Sequence, residues 1–183
     1  MSLTFAILTA LSEQTSTGVE LTRRFDLSIG YFWTATHQQI YRELAKLERD
    51  GLIEQVAHAP GRGQPKAFEI TTEGVEQLRA WVTEKADPRP PREALLVRLR
   101  AAAALKVDGL EIELRRHQRL HEDMLETYRT IYERSFELPT DSTSQVLQRL
   151  VLEAGIALEQ AWAQWCAAAV EELDCSTTPN RED

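Results

Sequence analysis

The cluster Asp87-Pro88-Arg89-Pro90-Pro91 cuts the 183-residue chain into parts that must each find a fold on their own side of it. Proline brings no N–H to a helix ladder, and its ring collides with the preceding turn. No helix interior crosses such a cluster. Four segments follow: an N-terminal unit over 1–86, a linker at 87–92, a helical unit over 93–173, and a tail at 174–183 whose polar residues are expected to fray. The formal net charge of −8 is unevenly spread. Residues 1–85 carry nine Lys/Arg against eleven Asp/Glu, and residues 86–183 twelve against eighteen. The acidity argues against sequence-blind polyanion binding by the whole surface. Salt screens most fields beyond about 10 Å at 0.1 M, so it leaves room for a local basic patch in the first half.

Within 1–86 the apolar residues switch between helix and strand periods. Ser2 can cap a helix through Ser12, with Leu3, Ile7, Leu8 and Leu11 on one face. A second helix starts at Thr15 to Thr17 and carries Val19, Leu21 and Phe25. Thr34 or Thr36 caps a third, in which Ile40, Leu44 and Leu47 form the buried stripe and Gly51 is the stop. Residues 52–56 read as a strand, 59–65 (APGRGQP) as a loop, and 66–70 as a strand with Phe68 and Ile70 on one side. A further helix begins at Thr71 or Thr72 and carries Val75, Leu78 and Val82. Three helices, a hairpin and a closing helix make a winged helix-turn-helix. Such a fold lays its third helix in the DNA major groove and its hairpin loop on the backbone or minor groove.

Beyond the prolines, helix periods dominate: Leu- and Ala-rich residues 93–106, an amphipathic stretch at 108–136, and another at 142–173. In the last, Leu147, Leu150, Ala154, Leu158, Ala161 and Trp165 recur at spacings of three and four, flanked by Val146, Val151, Ala157, Trp162, Ala169 and Val170. A helix apolar over so wide a face needs more than one neighbour, and a second subunit in a C2 dimer supplies it. The predicted fold is mostly α with a small β-hairpin: a winged helix-turn-helix domain plus a C-terminal helical dimerisation domain.

The segments LTFAILTALSE, TGVEL, QQIYRELAKLERDGLIE and GRGQPKAFEITTEG carry a family pattern. Over residues 2–78 the sequence resembles the PadR family of bacterial transcriptional regulators. The later half is similar to members whose extended dimerisation domain ends in a Trp-containing helix. The resemblance implies a dimeric DNA-binding regulator, usually a repressor, often relieved by a small molecule such as a phenolic acid or a drug. The implied partners are double-stranded operator DNA, a second copy of the chain and a small aromatic effector. The sequence departs from the family at His37 and Gln38, where Pro-Gly is common, at Arg42, where Pro is common, and at Pro65-Lys66, where paired arginines are common.

Gln38, Gln39, Arg42 and Lys46 lie off the buried stripe of the third helix. Amides read adenine, and arginine reads guanine or grips phosphate. Thr34, Thr36 and His37 stand at the start of the same helix and join the candidate DNA-binding set. Tyr41 suits two roles equally, a phosphate contact through its hydroxyl or half-buried packing beside Leu44. Arg62, Gln64 and Lys66 on the wing suit phosphate positioning. Candidate effector residues are Trp33, just before the third helix, and His117, His121, Tyr128, Tyr132, Trp162 and Trp165 on the long helices. Those aromatics suit either ordinary core and dimer packing or a pocket for a flat ligand between the wing domain and the dimer helices. The pair in HQRLH is spaced to share a metal, but lacks a further ligand set and falls at heptad spacing with Leu114 and Tyr128.

Several classes of function find no support. Cys166 and Cys175 form no CxxC or zinc spacing and read as reduced thiols. GRGQP lacks the Lys-Ser/Thr and helix of a P-loop, and no nucleophile elbow or metalloprotease helix occurs, so neither an enzyme nor a cofactor is expected. No apolar run approaches the roughly 20 residues of a membrane span, and the N-terminus lacks the basic region and cleavage pattern of a signal peptide, which points to the cytoplasm. The alternative to a DNA-binding regulator is a winged-helix protein–protein interaction module without direct DNA binding.

Overall fold

A computed structural model describes residues 3–27, 35–57, 66–88, 90, 92–136 and 142–177. Among these the order is α1 (Leu3–Glu13), β1 (Ser16–Thr17), α2 (Gly18–Leu27), α3 (His37–Arg49), β2 (Ile53–Val56), β3 (Ala67–Ile70), α4 (Thr72–Val82), α5 (Ala94–Leu105), α6 (Leu110–Phe136) and α7 (Thr143–Thr177). The chain divides into two compact units, Met1–Arg89 and Pro90–Asp183.

The first unit is a winged helix. Ile7, Leu8, Ala10 and Leu11 of α1, Leu21 and Phe25 of α2, and Ile40, Leu44 and Leu47 of α3 form its core with Leu52 and Ile53. Each large side chain taken fully out of water contributes about 1.5–3 kcal/mol, so this cluster dominates the unit's stability. Val19 and Val82, expected on buried faces, are 58% and 69% exposed. Val19 sits in the first turn of α2 and Val82 in the last residue of α4, where the helix has run past its neighbours.

The expected hairpin is part of a sheet of order β1-β3-β2, antiparallel throughout. Ser16 pairs with Phe68 and Thr17 with Ala67. This two-residue strand is too short to show alternation in the sequence. It buries two polar side chains because their backbones are paired. Arg24 fastens the same corner, donating to the Ala10 carbonyl at 2.7 Å and to Glu13 Oε2 at 2.6 Å, so it serves the C-terminus of α1.

At the other end of the sheet Thr71 joins β3 to α4. Its N–H donates to the Leu52 carbonyl at 3.1 Å, its hydroxyl donates to the Gly51 carbonyl at 2.8 Å, and the hydroxyl oxygen accepts the Gly74 N–H. A Cβ on Gly74 would lie 2.2 Å from the Leu52 carbonyl oxygen. That contact explains the glycine in Thr-Glu-Gly. Phe5 stacks on Trp81 at 4.5 Å and ties α1 to α4.

In the second unit α6 and α7 form an antiparallel pair. Tyr132 reaches Glu153 at 3.4 Å, Tyr128 faces Gly155, His121 faces Glu159, and Arg115 meets Asp174 at 2.5 Å. Leu95 of α5, Leu114, Cys166 and Val170 form a small core at one end. Burial pushes the Cys166 thiol up, with the Glu93 carboxylate adding to the shift. Leu147, Leu150, Leu158 and Trp165 of the expected apolar stripe of α7, with the flanking Val151, are exposed in the single chain. The row that packs within the chain is Ala163, Cys166 and Val170. The helix therefore has two apolar faces. Among the described residues no helix is long and apolar enough to cross a membrane.

Candidate nucleic-acid interface

Thr36 starts α3 with a reciprocal capping box. Its hydroxyl oxygen accepts the Gln39 N–H at 3.3 Å, and Gln39 Oε1 accepts the Thr36 N–H at 2.8 Å. Two backbone donors are thereby satisfied, a device worth about 1 kcal/mol. It also engages the amide oxygen of Gln39, one of the expected base-reading groups. The box leaves Gln38 as the outward amide.

Ile40, Leu44 and Leu47 are wholly buried, which fixes the roll of α3 about its axis. The opposite row is Gln38, Arg42, Ala45 and Arg49, all exposed. Their spacing of four, three and four keeps them within roughly 60° of one line at 3.6 residues per turn. His37, Tyr41 and Lys46 flank the row and are exposed as well. Ala45 at its middle is small enough to let the helix approach a surface closely. Arg49 was not singled out from the sequence, although its position seven residues beyond Arg42 was the available signal. Its side chain is 73% exposed, with Nε only loosely placed 3.8 Å from Asp50 Oδ1.

The electrostatics of the row are modest and local. Lys46 Nζ stands 3.3 Å from Glu43 Oε1, and Glu43 also accepts the Thr4 hydroxyl, which ties the carboxylate to α1. Among the described residues Arg42 makes no ion pair. Lys66 is exposed immediately before β3, at the base of the wing. Trp33, Thr34, Arg62 and Gln64 lie outside the described residues.

The candidate effector residues fall into two groups on the α6–α7 pair. His121 Nδ1 is 2.5 Å from Glu159 Oε2, its ring stacks on Trp162 at 5.7 Å and 13°, and Trp162 meets Trp165 edge-on at 5.4 Å. His117 stands 6.1 Å from His121, with Nε2 3.5 Å from Glu113. This is one connected aromatic and acidic cluster. Tyr128 is elsewhere and buried, its ring lying where Gly155 has no side chain. Tyr132 pairs with Phe136 and Glu153 instead. Among the described residues no group of three or more His, Cys, Asp or Glu stands at metal-binding distance.

The model of the transcriptional regulator PadR-like family matches residues 7–80, and that of the virulence activator alpha C-terminal region matches residues 91–174. A probable transcriptional regulator of Mycobacterium tuberculosis is 38% identical, over 94% of this chain and 98% of its own length. The Vibrio cholerae virulence activator AphA superposes with a TM-score of 0.77 at 30% identity, over 96% of this chain and all of that one. The negative transcriptional regulator PadR of Bacillus subtilis is 25% identical over 94% of this chain and 97% of its own. Its structure with operator DNA reaches a TM-score of 0.78 over 93% of this chain and 97% of that one, at 23% identity, a likeness of fold. Its structure with p-coumaric acid reaches 0.74 over 94% of this chain and 98% of that one, at 22% identity. With a core that turns a polar, basic row of α3 outward and relatives of this kind over nearly its whole length, the chain belongs to the PadR-like family of transcriptional regulators, a family of regulators and not of enzymes.

Proposed function

We propose that this chain acts in the cytoplasm as a homodimeric, sequence-specific repressor that binds a promoter operator through α3. The observation that carries the reading is the outward row Gln38, Arg42, Ala45 and Arg49, held opposite a fully buried stripe. Gln38 and Arg42 read base edges, Arg49 and Lys46 hold phosphates, and Thr36, His37 and Tyr41 border the contact. Lys66, with Arg62 and Gln64, brings the wing to the backbone. The B. subtilis PadR complex with operator DNA supports this use of the fold.

The exposed apolar row of α7 supports a second copy as partner, since Leu147, Leu150, Val151 and Leu158 would otherwise stay in water. Residues 87–92 then link each reading domain to the shared helices. A dimer places two copies of α3 about one turn of DNA, roughly 34–36 Å, apart on a pseudo-palindrome. Repression follows from occupying the promoter, as the description of B. subtilis PadR as a negative regulator supports. Relief comes from a small aromatic effector that binds better to a dimer whose reading helices are misspaced. The cluster of His117, His121, Trp162 and Trp165 supplies stacking faces for it.

The test is a titration of the purified protein against its own upstream promoter and a shuffled control at two salt concentrations. Preference for the promoter, with affinity falling steeply as salt rises, is the expected result. An absence of binding to either DNA, with capture of a specific protein instead, would replace the repressor by the interaction module.

A further inference from the structure

The geometry points to Gly18 as a positioning residue for DNA recognition: its missing side chain is a socket that seats the Tyr41 ring and sets where the Tyr41 hydroxyl stands beside the base-reading row. The inference rests on the DNA-binding reading of α3.

Gly18 is the buried first residue of α2. The helix start is anchored on either side of it. Thr17 Oγ1 accepts the Glu20 N–H at 3.2 Å, and Glu20 Oε2 accepts the Thr17 N–H at 2.7 Å. This box fixes the backbone of residue 18 against α3. A Cβ built there would lie 2.5 Å from Tyr41 Cε1 and 3.1 Å from both Cζ and the hydroxyl oxygen. Carbon atoms rest at about 3.5–4.0 Å, so the ring would have to move by about 1 Å.

Nothing in the backbone itself requires glycine at this position. Among the described residues the glycines with positive φ are Gly51 and Gly109, and the first turn of a helix accepts alanine readily. The ring is therefore the reason for the absent side chain. Tyr41 is 47% exposed, and Cε1, Cζ and the hydroxyl oxygen are the atoms that lie over Gly18, so the ring is half covered with its hydroxyl end in the socket. The ring, at the outer end of its side chain, yields by swinging outward, and α2 and α3 keep their packing. A side chain at 18 thus costs the aim of Tyr41 and spares the fold. The two roles open to Tyr41, packing and phosphate contact, become one arrangement: the ring packs so that the hydroxyl is placed.

The experiment compares wild type with Gly18→Ala, Tyr41→Phe, Tyr41→Ala and the double variant Gly18→Ala/Tyr41→Ala, each by thermal melting and by promoter affinity at two salt concentrations. Gly18→Ala is expected to melt at or above the wild-type temperature, because alanine is the better helix former. Its promoter affinity falls about tenfold per half-site, the scale of one hydrogen bond to a charged group, and so about a hundredfold for a dimer that presents the residue twice. Tyr41→Phe and Tyr41→Ala lose as much, and the double variant loses no more than Tyr41→Ala alone. The salt dependence stays that of wild type, since no charge is removed. Wild-type affinity in Gly18→Ala or Tyr41→Phe, a lowered melting temperature in Gly18→Ala, or additive losses in the double variant would each overturn the socket while leaving DNA binding intact. A wild-type chain that fails to prefer its promoter would instead remove the DNA reading, and the socket's role with it.

Discussion

Replacing Arg42 by alanine separates the two things an arginine on this row can do. Arg42 lies on the line opposite Ile40, Leu44 and Leu47, and among the described residues it makes no ion pair to be lost. The folded state should tolerate the change within about 0.5 kcal/mol, as exposed sites usually do. A dimer presents the residue twice. If each copy contacts a base pair through two hydrogen bonds, the loss is about 1–3 kcal/mol per half-site, or about 2–6 kcal/mol for the dimer. That corresponds to a loss of between about thirtyfold and 10⁴-fold in affinity, with relaxed preference at one position of each half-site. If each copy grips a phosphate, sequence preference survives, and the slope of log K against log salt shrinks by about 1.8. Arg49→Ala should show the second pattern. Lys46→Ala should show it more weakly, because Glu43 already neutralises part of that ammonium at 3.3 Å. Fluorescence anisotropy with labelled operator at four salt concentrations reads both quantities. Unchanged affinity, slope and sequence preference in Arg42→Ala would refute the assignment of this face to DNA.

Three further outcomes follow from the packing. Gly74→Ala should lower stability by about 1–3 kcal/mol despite better helix propensity, because its Cβ meets the Leu52 carbonyl and displaces two Thr71 hydrogen bonds; a raised melting temperature would show that the corner simply relaxes. Leu158→Glu, on the exposed row of α7, should convert the proposed dimer to a monomer in sedimentation velocity while the helical circular dichroism per chain persists; an unchanged dimer coefficient would place the interface elsewhere, and a wild-type monomer would remove the dimer itself. A thiol reagent at neutral pH should modify Cys175 and spare Cys166, whose thiol is buried and held protonated by that burial first and by Glu93 second; equal rates at both would mean that α5, α6 and α7 open readily.

The sequence was most legible where burial imposes a period. Ile40, Leu44 and Leu47 announced the inner face of α3, and with it the outer one. Arg49 is less legible because it stands in the last turn of the same helix, beyond the apolar stripe that marks the face. Gln39 was read as a base contact, although Thr-x-x-Gln before an apolar run is also the pattern of a capping box. That is the bond it makes in the unbound chain. Local chemistry took the side chain before any ligand did. The strand at Ser16 and Thr17 was invisible because two residues have no period, and only the partner strand, fifty residues later, defines it. On α7 the apolar positions were found, but periodicity cannot say which of two apolar faces packs within the chain. Leu158 lies on the exposed row, and Cys166 on the row that closes the small core.

The base of the wing has a consequence for how such regulators diversify. Val56 and Ala67 are cross-strand partners, and the far ends of the same strands are locked by the Ile53–Ile70 pair and by Thr71. The frame at the base of the wing is therefore held by contacts of its own among the described residues. Closing a longer loop on fixed ends costs only about 0.6 kcal/mol for each doubling of its length. Insertions, deletions and changes of charge there leave the core contacts of Ile40, Leu44 and Phe25 alone. On the DNA-binding reading proposed above, wings exchanged between relatives should retune which DNA is held without asking the rest of the domain to refold.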